Sequence, residues 1–131
     1  MPRPERDDAG AAVVEFLLVS ILLIALLLGV VQVALYLHVR NVVAASAAEG
    51  ARYAANADRA ATAGGPMTRR IIAQALSHRV ADGMNCTGRN ERGRHGTVLV
   101  AVHCNGDVPL IFSWLGGLPV LDVTARAVKE G

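Results

Sequence analysis

An unbroken apolar run near the start of the chain is the strongest feature of its hydropathy pattern. No residue from Phe16 to Leu37 carries a charge, and Ser20 and Gln32 are the only notably polar side chains there. As a helix, these 22 residues would be roughly 33 Å long, enough to cross a hydrocarbon core of about 30 Å. The run therefore predicts a membrane-spanning helix.

A cleaved secretory signal is the alternative interpretation of this run. Signal sequences usually have an apolar region of about 7–15 residues that ends in a small-residue cleavage site. The run here is longer, and a helical pattern continues beyond it. We therefore expect a retained anchor. A secreted domain from which residues 1–37 have been removed would instead have a mature mass starting well beyond Ala11.

Helical spacing continues through residues 38–57, with polar side chains on one side and apolar or small ones on the other. The polar side comprises Asn41, Glu49, Arg52, Asn56 and Arg59, and the apolar side Val39, Val43, Ala47, Gly50, Ala54 and Ala57. Small residues allow helices to approach closely. The apolar side packs either on the chain's own domain or against copies or relatives in a filament, and the pattern leaves both open.

The segment Ala63-Gly64-Gly65-Pro66 predicts the end of that helix, because glycine permits unusual backbone angles and proline removes a hydrogen-bond donor. Thr68 is the predicted N-cap of a second helix over residues 69–82, and Gly83 is its predicted end. The apolar side chains of that segment recur at helical spacing.

The last third of the chain has the pattern of a small sheet. Residues 97–104 are β-branched and apolar, and residues 120–128 alternate between apolar and polar side chains. Asn105-Gly106 predicts a turn, and residues 108–112 a partner strand that Pro109 confines to a sheet edge. The predicted fold class is α+β: a long N-terminal transmembrane helix, then a small domain with one helix and a short antiparallel sheet.

Composition and charge narrow the possible functions. Hydrophobic residues make up 53% of the chain but aromatic residues only 4%, which suits a membrane span and small-residue helix packing better than an aromatic core. The formal net charge of +2 is too small to indicate nucleic acid as a partner. The sequence contains no Gly-x-Ser-x-Gly, P-loop or supported carboxylate pair. We therefore predict no enzyme and no cofactor.

Cys86 and Cys104 are the only cysteines of the chain. A zinc site would need closely spaced pairs of ligands, and neither cysteine has such a neighbour. In a domain outside the cytoplasm, an even count favours a disulfide over two free buried thiols. Such a bridge would close a loop of about 19 residues and contribute on the order of 3 kcal/mol.

Other polar residues carry weaker signals. The four histidines are scattered along the sequence, so we expect no metal site, and His103 is predicted on the outer side of its strand. Arg89, Arg92 and Arg94 lie in a Gly-rich segment, residues 88–96. That segment is interpreted as a solvated connection, with binding of an acidic partner or lipid headgroups as the alternative.

The residues that precede the apolar run form a second pattern. A polar leader ends at Gly10 and is followed by Ala11, and Glu15-Phe16 begins five residues after the glycine. A charged side chain inside hydrocarbon costs ~2.5–3.5 kcal/mol even on lenient scales, so Glu15 indicates a function. The pattern resembles the processing site of type IV pilin-like proteins. It is most similar to TadE-like pseudopilins of the tight-adherence (Flp) pilus.

A second segment supports the same resemblance. An asparagine after the span, Asn41, and the sequence Glu-Gly-Ala-Arg-Tyr-Ala at residues 49–54 are similar to that family, so the likeness covers about residues 10–57. The resemblance implies cleavage by a prepilin peptidase after Gly10, with Gly10, Ala11, Glu15 and Phe16 as the processing site. It also implies that Glu15 guides assembly by pairing with a neighbouring N-terminus. Alternatively, Glu15 merely lies among lipid headgroups.

The resemblance implies a minor pseudopilin of a tight-adherence pilus assembly or secretion system. Its expected partners are a prepilin peptidase, other pilins or pseudopilins, pilus assembly membrane proteins and the membrane. Three parts follow: a leader (1–10), a transmembrane and extended helix (11–60) and a small extracytoplasmic domain (61–131). The N-terminus would be cytoplasmic and the helix would span the cell's inner membrane. The alternative is a single-pass, membrane-anchored extracytoplasmic binding module unrelated to pili.

Overall fold

A computed structural model of the protein describes residues 6–108 and 120–131. Its first element is helix α1, Arg6–Ala55, which is 50 residues long. This stretch contains no proline and is rich in alanine and leucine, the residues that fit a helix best. The helix ends at Ala55, before residue 57, where the helical spacing ends, and before residue 60, the end of the extended helix that the resemblance implied. At its end, the backbone N–H of Glu130 donates to the carbonyl of Ala55 (2.9 Å).

The chain divides into two compact units, residues 1–34 and 35–131. In the first unit, α1 carries large apolar side chains that are exposed from Val13 onward. The most apolar 18-residue window of the helix has a mean hydropathy of 2.9, and none of it is buried. The helix is therefore compatible with a single-pass membrane anchor.

In the second unit, the apolar side of α1 packs into the chain's own domain. Val43, Ala47, Gly50 and Ala54 are buried, and Val39 is half-buried against the same core. On the polar side, Arg59 is half-buried and the other four residues are exposed. Of the two alternatives for this side, the structure thus shows packing on the chain's own domain. Ala57 is an exception, because it follows the end of the helix and is exposed.

Two short helices replace the single second helix that the sequence predicted. Helix α2, Gly64–Ala75, begins at the glycine pair, so Thr68 lies inside the helix and is not its N-cap. Helix α2 is capped at its end by Leu76. Ser77 then caps helix α3, His78–Asp82, by accepting a hydrogen bond from the Val80 N–H. Gly83 ends α3, as predicted.

Three antiparallel strands form one sheet in the order β1-β2-β3. Strand β1 is Met84–Arg92, β2 is Val98–Asp107 and β3 is Val120–Val128. The interpretation of residues 88–96 as a solvated loop was wrong, because 88–92 belong to β1 and pair with β2. The connection is only Gly93–Thr97, where His95 (φ 59°) and Gly96 (φ 77°) take left-handed conformations.

The Asn105-Gly106 turn was also a wrong prediction. Both residues continue β2, opposite Asn85 and Met84 of β1. Gly106 lies where an added Cβ would collide with the backbone of Gly83, so close packing explains this glycine. Of the predicted edge strand, Val108 is buried after the end of β2, and residues 109–112 lie outside the described residues.

Strand β3 matches its prediction in bounds and facing. Leu121 is buried, and the other inner side chains of the strand are half-buried. The main core includes Val43 of α1, Ile72 of α2 and Val102 of β2 together with Leu121. The architecture is therefore α+β, as expected from the sequence: a long N-terminal helix with a small helical layer and a three-stranded sheet.

Candidate functional site

The N-terminal pattern lies on one exposed section of α1. Gly10, Ala11, Glu15 and Phe16 are all helical and all exposed. A Cβ added to Gly10 would meet no atom within 4 Å, so no described neighbour requires a glycine at this position. Because Gly10 has no side chain, another molecule can approach its backbone closely.

Glu15 stands one helical turn beyond Ala11. Residues four apart on a helix face the same side, with about 5–6 Å between their Cβ atoms. No ion pair joins Glu15 to another side chain in the described part of the chain. By contrast, the hydroxyl of Ser20 donates to the carbonyl of Phe16 (2.7 Å). Glu15 thus offers a carboxylate that no ion pair within residues 6–108 and 120–131 uses.

The second segment, residues 49–54, has a structural role. Gly50 is buried where α1 meets α2, and a Cβ at this position would lie 2.8 Å from the carbonyl oxygen of Gly64. The same Cβ would also collide with the hydroxyl of Thr68. That hydroxyl is buried and donates to the Gly64 carbonyl (2.8 Å). Gly50 therefore sets the closest approach between the two helices.

Two glycines continue this close packing from α2 to the sheet. A Cβ on Gly64 would lie 2.7 Å from a methyl group of Val102, and one on Gly65 would collide with the carbonyl of Cys86. Helix α2 therefore approaches β1 almost backbone to backbone and packs directly on the Val102 side chain of β2. The glycine pair that was expected to break a helix instead allows α2 to begin against the sheet.

Tyr53 organises the turn after α1. The guanidinium of Arg59 lies 3.9 Å above the Tyr53 ring, a cation–π contact, and also donates a hydrogen bond to the Tyr53 hydroxyl. The ammonium of Lys129 donates to the carbonyl of Arg59 (2.9 Å). Lys129, just after β3, thus holds the segment that follows α1 in place. Tyr53 packs against the same segment through Arg59.

A disulfide joins Cys86 of β1 to Cys104 of β2. The two residues are directly opposite in the antiparallel ladder, with their Cα atoms 4.1 Å apart. Both are buried in the core that α1 and α2 cover. The bridge therefore fixes the register of β1, whose polar sequence supplies few apolar contacts of its own.

The exposed side of the sheet carries a small ion-pair network. Glu91 accepts hydrogen bonds from Arg126 (2.8 Å) and Arg89 (2.9 Å), so both outer strands are joined across β2. Both hydrogen bonds lower the pKa of the Glu91 carboxyl, and the bond from Arg126 has the larger effect. Ala101, which lies between the two arginines in the ladder, is buried although it faces outward. Arg89 is therefore an ion-pair partner within the sheet, although it is exposed, as Arg92 and Arg94 are.

The polar side chains do not assemble a metal centre in the described ranges 6–108 and 120–131. No three histidine, cysteine or acidic side chains in that part of the chain converge to hold a metal ion. His103 is half-buried on the outer side of the sheet, with its Nδ1 2.8 Å from the Thr124 hydroxyl and 3.5 Å from the Asp122 carboxylate.

Comparison with known proteins identifies the N-terminal segment. Residues 10–52 match the family model described as TadE-like protein, in agreement with the resemblance found in the sequence. That family is a structural component of pilus assembly and not a known enzyme family. No curated protein and no solved structure matches the chain significantly. The match lies within helix α1 and does not include the helices and strands that follow it.

Proposed function

We propose that this protein is a minor pseudopilin of a tight-adherence (Flp, type IVb-like) pilus assembly or secretion system. The observation that carries the proposal is the position of the family match. It begins at Gly10, the residue after which cleavage is expected, and extends along α1 to Arg52. The match thus includes both the exposed Gly10–Phe16 section and Gly50, where the helix joins its domain.

Cleavage after Gly10 is the first step of the proposed function. The peptide bond lies near the start of α1, and both flanking residues are exposed and small. A prepilin peptidase must unwind this end of the helix to reach the bond, and a glycine makes unwinding easier than other residues do. The product would be an α1 that starts at Ala11 with a new α-amino group. The corresponding parts are the leader 1–10, the transmembrane and extended segment 11–60, of which α1 occupies the residues up to Ala55, and the domain 61–131.

The proposed topology follows from this step. The leader and its peptidase are on the cytoplasmic side, α1 anchors the chain in the inner membrane, and the disulfide-containing domain is extracytoplasmic. A compartment outside the cytoplasm suits the Cys86–Cys104 bridge, because cytoplasmic thiols are kept reduced. The partners are the peptidase, the membrane, other pilins or pseudopilins and the assembly proteins of the pilus.

Glu15 is the proposed assembly contact. Its carboxylate is exposed on a helix whose neighbouring side chains are apolar, and no described side chain pairs with it. The α-amino group of a neighbouring subunit's Ala11 would supply the opposite charge. A charge pair in a low-dielectric setting offsets part of the cost of removing the carboxylate from water.

Glu15→Gln tests this contact. Glutamine keeps the shape and removes the charge, so we expect the protein to be made, folded and inserted but to lose most of its incorporation into the pilus machinery. The loss should be tenfold or more if the pair contributes about 1.4 kcal/mol or more. The measurement is the fraction of the protein that co-isolates with sheared pili and assembly proteins from the producing cells.

Ser20→Ala is the matched control, since it changes a polar residue of the same helix whose hydroxyl is already bonded to its own backbone. The control is expected to co-isolate like the unmodified protein. Equal incorporation of Glu15→Gln and Ser20→Ala would show that Glu15 has no pairing role and lies only among headgroups.

A further inference from the structure

Strand β3 directs one set of backbone groups away from the sheet. Its neighbour among the described strands is β2, with Leu99 opposite Val128 and Asp107 opposite Val120 and no bulge between them. Just beyond the strand, the Lys129 N–H donates to the Val98 carbonyl of the β2 side, whereas the Glu130 N–H points the other way, to Ala55. Because directions alternate along a strand, the even-numbered residues of β3 present their N–H and C=O groups outward.

The same residues also have exposed side chains. They are Val120, Asp122, Thr124, Arg126 and Val128. The two terminal valines are 66% and 64% exposed. An edge strand with free hydrogen-bonding groups and apolar side chains is a template for another strand, and proteins usually protect such edges with charges.

The order of these residues is self-complementary. Asp122 and Arg126 lie at equal distances along the strand on either side of Thr124. Val120 and Val128 lie at equal distances farther out. Charges of one sign along an edge would repel a second copy of the strand. Here the two charges have opposite signs and lie at equal distances from the centre, so a second antiparallel copy is attracted.

We propose that two copies of this chain pair edge to edge through β3, antiparallel about a two-fold axis at Thr124. In that register, each outward N–H and C=O group of one strand faces an outward group of the other. Asp122 of each copy lies opposite Arg126 of its partner, the two Thr124 side chains meet, and the exposed valines cover each other. The result is one continuous six-stranded sheet, an isologous interface.

The charges select this register over its neighbours. A centre moved by one residue, to Val123 or Ala125, places Asp122 opposite Thr124 or Val128 and leaves the ion pairs unmade. Arg126 can join the interface without leaving its own sheet, because its Nε donates to Glu91 (2.8 Å) and a guanidinium has further N–H donors on its terminal nitrogens. Cross-strand pairs of opposite charge and of β-branched side chains are the contacts that stabilise antiparallel sheets.

This interface does not depend on the proposed pilus function, and its test is separate. Thr124→Cys in the full-length protein, in membranes of the producing cells, places a single reactive thiol at the two-fold axis, because the native cysteines are bonded to each other. A short thiol-specific cross-linker should convert this variant into covalent dimers. Thr87→Cys, on the exposed side of the opposite outer strand, should give few dimers under the same conditions.

Charge reversal tests the register. Asp122→Arg in the Thr124→Cys background should lower the dimer yield roughly tenfold, because it opposes two arginines at both ends of the interface. Adding Arg126→Asp should restore the yield, since the opposed pairs are again of opposite sign. Asp58→Arg makes the same change of charge at an exposed site outside the sheet and should have no effect.

Three results would overturn the proposal. The first is a Thr124→Cys variant that cross-links no better than Thr87→Cys, which would mean that β3 is covered by another segment or protein. The second is an Asp122→Arg variant that cross-links as well as the Asp58→Arg control. The third is a double charge reversal that stays as low as Asp122→Arg alone although its domain is folded, as shown by protease resistance equal to that of the parent.

Discussion

Gly50→Val is expected to destabilise the extramembrane domain by about 3 kcal/mol, the upper end of the usual cost of overpacking. The first added carbon would lie 2.8 Å from the Gly64 carbonyl oxygen and would displace the Thr68 hydroxyl from its hydrogen bond. Neither neighbour can yield easily, because Gly64 is itself in close contact with Val102 of the sheet. The measurement is the urea concentration at which full-length protein in detergent becomes sensitive to protease.

Gly29→Val is the matched control for this change. Gly29 lies in the same helix, and an added Cβ there meets no atom within 4 Å, so the substitution alters helix propensity without a collision. Gly50→Ala should have a smaller effect than Gly50→Val, and Thr68→Ala should partly relieve it by removing the hydroxyl. Equal urea midpoints for the Gly50→Val and Gly29→Val variants would contradict the proposed role of Gly50.

Removing the disulfide is expected to have an effect of similar size. The Cys86→Ala, Cys104→Ala double variant should lose about 3 kcal/mol of stability through the missing cross-link, the value for a closed loop of this length, and more through the loss of two buried sulfur atoms. Because β1 has a mostly polar sequence, loss of the bridge should affect this outer strand before β2. Urea unfolding, with protease cleavage sites mapped by mass spectrometry, measures both the total loss and its location.

The reduced, unmodified protein is the control for lost packing. It keeps both sulfur atoms in the core and lacks only the cross-link, so it should be less stable than the oxidised protein but more stable than the double variant. If the reduced and oxidised proteins unfold at the same urea concentration, the bridge does not stabilise the domain.

The helices and strands with strong hydropathy patterns were predictable from the sequence. Residues 16–37 gave the apolar section of α1, and the alternation in residues 120–128 gave β3 with the correct sides. Both predictions succeeded because the pattern of an element's own side chains largely decides whether one side is buried or the element lies in a membrane.

Strand β1 was missed because its side chains carry little apolar pattern. Its partners decide its structure: β2 supplies the ladder, Cys104 the covalent link and Arg126 the ion pair with Glu91. A usable signal was present at Met84, Cys86 and Gly88, small or apolar residues at every second position on the inner side. The Asn105-Gly106 turn failed for the converse reason, since the local turn preference was weaker than pairing with β1.

The candidate site divides in the same way. Gly10 and Glu15 stay a prediction that rests on spacing and resemblance, because both are exposed and their proposed roles depend on other molecules. The family-like sequence at residues 49–54 did not indicate a function by itself. In the structure, Gly50 packs between helices and Tyr53 contacts the turn after α1. Apart from Cys86 and Cys104, which were paired because they are the only two cysteines, side chains that meet only after folding could not be paired from the sequence.

The mature N-terminus tests the proposed function most directly, by mass spectrometry of the protein isolated from its native membrane. We predict a chain that begins at Ala11, which would establish cleavage after Gly10 and support a pseudopilin that carries its own α-amino group one helical turn before Glu15. An intact chain that starts at Met1 or Pro2 would contradict this account and favour an uncut anchor that carries an extracytoplasmic binding module.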